Sequence, residues 1–242
     1  MSRPAWLKEL IFTQNDCYKT GRKIRPQGIM IHSTGANNPY LKRYVGPDDG
    51  LLGVNKYNNH WNQKMSRNVC PHAFLGLASD EKLYVYQVLP WDHEGWHAGG
   101  QANKTHIGIE ICEGSLTDKK YFAKVYELLC EFCAYICREF NLPTTSIIDH
   151  AEGRKLGIAS NHADVGHWFP KHGKSFASVR VDTQKLLDKE PTTPTPKEPT
   201  DKAWVVLEQH GYFHDKSNAE RLTATLRKKG KLVYIQEVER RV

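Results

Sequence analysis

The residues able to do chemistry in this chain sit where apolar segments stop. His32 closes the run Gly28-Ile29-Met30-Ile31, His72 follows Cys70-Pro71, His97 lies in Trp96-His97-Ala98-Gly99, and His150 follows Ile147-Ile148-Asp149. His162 and Asp164 share the segment Ser160-Asn161-His162-Ala163-Asp164, and Glu110 interrupts the apolar stretch His106-Ile107-Gly108-Ile109-Glu110-Ile111-Cys112. A carboxylate in an apolar strand is costly unless it is paired or reactive. Neutral imidazole is the commonest metal ligand, and two His with one carboxylate form a familiar open zinc set. A lone His at a strand end is otherwise an ordinary hydrogen-bonded residue. These positions are too far apart in sequence for any short metal motif to certify them.

Strands and helices must bring these positions together. Gly28–His32 and His106–Cys112 predict buried strands. Ala73–Leu77 and Leu83–Val88 flank the turn Ser79-Asp80-Glu81 and predict a hairpin. Phe122, Val125, Tyr126, Leu129, Cys133, Ile136 and Cys137 recur at helical spacing. They predict a helix over Lys119–Phe140, capped by Thr117-Asp118 and stopped by Asn141-Leu142-Pro143. A last helix is expected over Ser175–Lys189. Strands interleaved with helices indicate an α/β or α+β domain. Cys130, Cys133 and Cys137 fall on one helical face. Cys130-x-x-Cys133 could be half of a metal knuckle, but no second pair follows it, and buried free thiols are the expected reading.

The chain has 242 residues, 39% of them hydrophobic and 25% charged, with 12 His and 6 Trp. These values suit a folded globular chain and exclude disorder, collagen and coiled coil. No apolar run reaches the roughly 18 residues of a membrane span. The formal net charge of +7 favours anionic partners, but the charges are scattered apart from Arg227-Lys228-Lys229. Nucleic acid is therefore not the expected partner. A metal-dependent nuclease, suggested by Asn58-Asn59-His60-Trp61-Asn62, lacks the accompanying strand–helix pattern. The N-terminus, Met1-Ser2-Arg3-Pro4-Ala5-Trp6-Leu7-Lys8-Glu9, lacks an uninterrupted apolar core of the signal-peptide kind. Synthesis in the cytoplasm without a signal peptide is the expectation.

Residues 191–200, Pro-Thr-Thr-Pro-Thr-Pro-Lys-Glu-Pro-Thr, predict an extended spacer between a domain at 1–190 and a small module at 201–242. In the module, Ala203–Leu207 predicts a strand. Ser217 and Glu220 form a capping-box pattern opening a helix that Gly230 closes, and Leu232–Val238 predicts a second strand. The expectation is a βαβ unit. About 40 residues bury too little core to stand alone, so the module packs on something, forms a homo-oligomer, or is part of a truncated larger one.

Gly28-Ile29-Met30-Ile31-His32-Ser33-Thr34-Gly35 resembles the first zinc-ligand strand of the type 2 N-acetylmuramoyl-L-alanine amidases. This family includes the peptidoglycan recognition proteins and phage lysozymes of the T7 kind. Trp96-His97-Ala98-Gly99 resembles its substrate-groove motif, and Asn103 through Glu110 the strand of its catalytic carboxylate. Asp149-His150-Ala151-Glu152-Gly153 and Leu156 through Asp164 resemble its second and third ligand segments. His32 through Pro39 and Asp164-Val165-Gly166-His167-Trp168-Phe169 look most like endolysins of clostridial phages and prophages. The resemblance spans nearly all of residues 20–190, in the right order.

It implies an α/β domain with a mixed central β-sheet flanked by helices. It implies Zn²⁺ held by His32, His150 and Asp164, with Glu110 as general base and then acid. His162 stands where many members have Lys, which stabilises the oxyanion; alternatively His162 is itself a ligand, with Asp164 behind it. His72, His97, Thr34 and Asn103 would line the substrate groove or steady the site, and Trp61, Trp91 and Trp96 could pack on sugar or peptide. The implied reaction is hydrolysis of the amide between N-acetylmuramic acid and L-alanine in peptidoglycan. No membrane insertion is implied, and an endolysin would reach the wall through a holin. The rival readings are a non-catalytic peptidoglycan-binding protein on the same scaffold and a host autolysin or sporulation amidase. Trp204-Val205-Val206-Leu207, Gly211-Tyr212-Phe213 and Asn218 through Gly230 resemble half of a SPOR-type, glycan-binding module.

Overall fold

The computed structural model describes residues 3–162, 164–189, 202–206, 212–213, 220, 222–225 and 235–239. The chain separates into two compact units, Met1–Lys189 and Glu190–Val242. The first is built on six strands: β1 (Leu7–Glu9), β2 (Gly28–Ser33), β3 (Ala73–Leu77), β4 (Leu83–Gln87), β5 (His106–Ile111) and β6 (Ile147–Asp149). They form one mixed sheet in the order β1-β4-β3-β5-β2-β6. β2 runs parallel to both β5 and β6, β3 runs parallel to β5, and β3 and β4 are the expected antiparallel hairpin. The fold is the mixed sheet flanked by helices expected from the sequence.

After a single turn, α1 (Asp16–Lys19), comes the long helix, α2 (Lys119–Phe140), which has the predicted limits. The Asp118 carboxylate accepts from the Lys120 and Tyr121 N–H groups and caps its start. Asn141 ends it in the left-handed region at φ 53°. Its apolar face packs Phe122, Val125, Leu129, Cys133 and Ile136 against Ile29, Ile31, Ile107, Ile109 and Ile111 of the sheet. Burying each such side chain stabilises the fold by about 1.5–3 kcal/mol. Cys130, Cys133 and Cys137 are free and buried in this core, so they serve as small apolar residues rather than half of a knuckle. α4 (Phe176–Asp188), capped by Ser175, closes the unit.

Strand periodicity decides what faces the other way. Successive residues of a strand point to opposite faces. With Ile29 and Ile31 under α2, Met30 and His32 face away from it, as do Gly108 and Glu110 of β5. The register sets His32 directly beside Glu110, and Met30 beside Gly108. β6 and α3 (His150–Lys155) were not anticipated as elements, because three and six residues carry too little periodicity. β6 lies beside β2, and the Asp149 side chain caps α3 by accepting from Glu152 N at 2.7 Å. His150, the first residue of α3, therefore emerges next to His32.

The second unit differs from the expected βαβ arrangement. β7 (Lys202–Val206) pairs antiparallel with both β8 (Tyr212–Phe213) and β9 (Ile235–Glu239), in the order β8-β7-β9. The first strand is thus not parallel to the last. β8 and β9 share a direction and flank β7, so the crossover starts from β8. The backbone is helical at Glu220 and at residues 222–225. Ser217 and Gly230, expected to bound that helix, lie outside the described residues.

Candidate metal centre and active site

His32, His150 and Asp164 meet on the sheet face away from α2. His32 Nδ1 lies 3.1 Å from His150 Nδ1 and 3.3 Å from Asp164 Oδ2, and His150 Nδ1 lies 3.4 Å from the same oxygen. The three atoms form a nearly equilateral triangle. Zinc bonds of about 2.0–2.1 Å in a tetrahedron set ligand atoms about 3.3–3.4 Å apart. The observed edges match that spacing.

The far sides of both rings decide which nitrogen is free. His97 Nε2 lies 3.0 Å from the His106 carbonyl, which only accepts, so this nitrogen donates. Burial first, then the neighbouring His32 and His72, push the His97 pKa well below the usual histidine value, so its ring is neutral and Nδ1 accepts. His32 Nε2, 3.0 Å from that nitrogen, is therefore the donor. Burial also lowers the pKa of His32, which leaves its Nδ1 as a bare lone pair. His150 Nε2 meets Ser160 Oγ at 3.3 Å, and that hydroxyl donates to the Ala98 carbonyl at 3.1 Å. His150 Nε2 is thus also a donor, so the nitrogen its ring can offer as a ligand is Nδ1. Asp164 sets Oδ2 against both of these Nδ1 nitrogens. Two imidazole lone pairs and one carboxylate converge on a space that calls for a cation. The residues fit zinc. Among the described residues this is the group of His, Cys, Asp and Glu placed to hold a metal.

The triad opens into a cavity of about 650 Å³ that also meets Thr34, Trp61, Trp96, Asn103 and Glu110. Glu110 Oε2 is buried with no hydrogen-bond partner. Burial, then the charges of Asp164 and Glu113, raise its pKa well above the ordinary carboxyl value. A carboxyl kept undersolvated beside such a triad is suited to taking and returning a proton.

The other expected site residues divide. His162 is exposed on the cavity, its ring stacked on His150 at 4.8 Å between centroids. Asn103 lines the cavity, while its Oδ1 accepts from His97 N and Ala98 N at 2.9 and 2.7 Å, fixing the Trp96–Gly99 turn. Thr34 lines the cavity and accepts from Glu113 N at 3.1 Å. His97 lines it too, but its ring holds His32. His72 does not line the groove. It is 0% exposed, and its Nε2 donates to the His93 carbonyl at 2.7 Å while its Nδ1 accepts from Gly108 N at 3.0 Å. It does not reach the cavity; it pins β5 from behind. Trp91 packs on the core beside Phe132 rather than at the groove.

Sequence reasoning missed Ser160 as the partner of His150. It also missed Glu113, whose buried carboxylate accepts from Gly35 N at 3.2 Å and His167 Nε2 at 2.9 Å. In the sequence Gly108 reads as one more strand residue, yet a Cβ there would lie 2.4 Å from the His97 ring. A glycine two residues before the acidic strand residue was the available signal.

The Amidase_2 family model, described as N-acetylmuramoyl-L-alanine amidase, matches residues 22–167. The chain belongs to this family. Protein Ami of Listeria monocytogenes is 26% identical over 161 residues, which is 63% of this chain and 15% of that protein. The N-acetylmuramoyl-L-alanine amidase CwlH of Bacillus subtilis is 37% identical over 70 residues, 27% of each chain. The chain thus spans only a minor part of these relatives' lengths. Staphylococcus aureus hydrolase AmiA, solved with its ligand, shares the fold at a TM-score of 0.56 and 18% identity, over 77% of this chain and 85% of that one. The matched residues of this Amidase_2 domain include every member of the triad and Glu110. No helix among the described residues is long and apolar enough to cross a membrane.

Proposed function

We propose that this Amidase_2 domain binds one zinc ion through His32, His150 and Asp164 and hydrolyses the amide joining N-acetylmuramic acid to L-alanine in peptidoglycan. The observation that carries the reading is the convergence of two imidazole lone pairs and a carboxylate beside an unpartnered, buried Glu110. Zinc, when bound, supplies a Lewis acid for the scissile carbonyl and lowers the pKa of water. Glu110 takes the proton of the attacking water and returns it to the leaving alanine nitrogen. His162, on the rim of the same cavity, donates a hydrogen bond to the developing oxyanion. Thr34, Trp61, Trp96 and Asn103 form walls against which the muramyl peptide is held. The His97–His32 and Ser160–His150 bonds keep each ligand ring in the tautomer the metal needs.

Wall digestion by the purified full chain tests this reading, with new alanine amines and new reducing sugar ends counted separately. Amines without reducing ends, lost on chelation and in Glu110→Ala, support it. Reducing ends would make the protein a glycosidase. Neither product, with the protein still pelleting on walls, would favour the binding-only alternative. A wall-retaining role for residues 201–242 and a phage lytic role belong to the same proposal. Equal pelleting of residues 1–190 and the full chain would remove the first.

A further inference from the structure

One charge in the cavity has no task in the chemistry above. Arg67 is the only Lys or Arg among the described lining residues. Its guanidinium has no hydrogen bond or ion pair to another described residue. The two acids that share the cavity are committed, Asp164 to the histidine pair and Glu110 to its buried position beside them.

The loop bearing Arg67 is held in place. Asn15, 2% exposed, donates from its side-chain amide to the carbonyls of Trp61 at 2.9 Å and Val69 at 3.3 Å, clamping the base of the loop. Gln14 N donates to Asn62 Oδ1 at 3.1 Å on the same side. At the far end Cys70 and Trp96 exchange both backbone hydrogen bonds at 2.9 Å. The next residue, His97, touches His32. The position of Arg67 over the cavity is thus tied through three residues and one ladder pair to a metal ligand. An uncompensated guanidinium lining a polar cavity, on a loop clamped at its base, is suited to a planar anion, which it can grip with two parallel N–H donors.

We infer that Arg67 is a specificity-determining residue that pairs with a free carboxylate of the stem peptide beyond the scissile amide. The inference rests on the amidase reading. Two substrate positions offer that carboxylate: the second residue, as D-isoglutamate rather than its amide, and the third, where a diaminopimelate carries an extra carboxylate.

The test uses zinc-loaded full chain and soluble muramyl tripeptides in two matched pairs. One pair differs by carboxylate against carboxamide at residue two, the other by the same change on a third-residue diaminopimelate. The wild type should show a kcat/KM at least about tenfold higher for the carboxylate member of one pair, as expected for a charge-assisted hydrogen bond. That pair identifies the position. Arg67→Gln should bring the ratio to within about twofold, and Arg67→Lys should restore part of it. Calorimetric binding of the same pair to Glu110→Gln should follow the same order, and the preference should shrink with added salt. Equal handling of both pairs by the wild type would overturn the inference. So would an Arg67→Gln effect common to acid and amide. Cleavage of none of the four peptides would instead bring down the amidase reading, and this inference with it.

Discussion

At strand ends of this sheet a pair of buried histidines and a single one, His72, have opposite fates. His32 and His150 each spend one ring nitrogen on a positioning bond and leave the other aimed at Asp164. His72 spends both, one on the His93 carbonyl and one on Gly108 N. Both groups are made of the same residue type, are equally buried, and follow similar sequence contexts. The difference lies only in the uncommitted lone pair. A buried imidazole with both nitrogens satisfied is part of the frame, whereas one with a nitrogen left facing a carboxylate has the geometry to hold a cation.

Substitutions should separate the two groups, beginning with the carboxylate that the open group serves. Glu110→Gln should lower amidase turnover by about 10²–10⁴-fold while zinc content and melting temperature hold, measured by amine release and metal analysis. Zinc loss in that variant would make Glu110 part of the metal site instead. Next, His97→Ala leaves the open group its ligands but removes the acceptor for His32 Nε2. Zinc affinity or turnover should fall about 10–100-fold. Gly108→Ala should do the same by another route, because its Cβ would meet the His97 ring. Zinc titration of both variants checks this; an unchanged affinity would mean the His97 bond sets nothing.

His72→Gln belongs to the frame. It should cost roughly 1–3 kcal/mol in urea unfolding and leave zinc stoichiometry at the wild-type value. The frame also has a pH signature. Burial, which outweighs the His93 hydrogen bond, pushes the His72 pKa from 6.5 down to about 4. Between those values the unfolded chain binds the proton that the folded chain refuses, so stability rises with pH there. This contribution is complete above about pH 6.5 and is lost as pH falls towards 4, by about 3 kcal/mol. Urea midpoints of wild type and His72→Gln between pH 7.5 and 4.5 should converge on acidification. Parallel curves would show that His72 is not held neutral by the fold.

The parts of this molecule legible in its sequence are those with a long enough period. α2 could be drawn from its apolar spacing and its Asp118 and Asn141 ends, and β3–β4 from alternation around a turn. β1 and β6 are three residues each and carry no period, although β6 delivers His150. The candidate triad of His32, His150 and Asp164, and Glu110 with it, stood out by type and order within a familiar pattern, and the structure sets all four on one cavity. That His72 packs behind His97 instead of lining the groove was not legible, because sequence shows that a histidine is present but not where its ring nitrogens are spent. Arg67 lay in an unpatterned loop, and only the Asn15 clamp and the Cys70–Trp96 pairing place it at the cavity. The reversal of β7 was hidden by the two-residue strand β8, too short to register beside the stronger flanking segments.

The most direct test of the open group is zinc stoichiometry at neutral pH in four proteins: wild type, Asp164→Ala, His162→Ala and His72→Gln. The geometry predicts one tightly held zinc in the wild type, in His162→Ala and in His72→Gln, and its loss in Asp164→Ala. Zinc retained by Asp164→Ala but lost from His162→Ala would contradict it, and would move the third ligand from the carboxylate to the stacked ring.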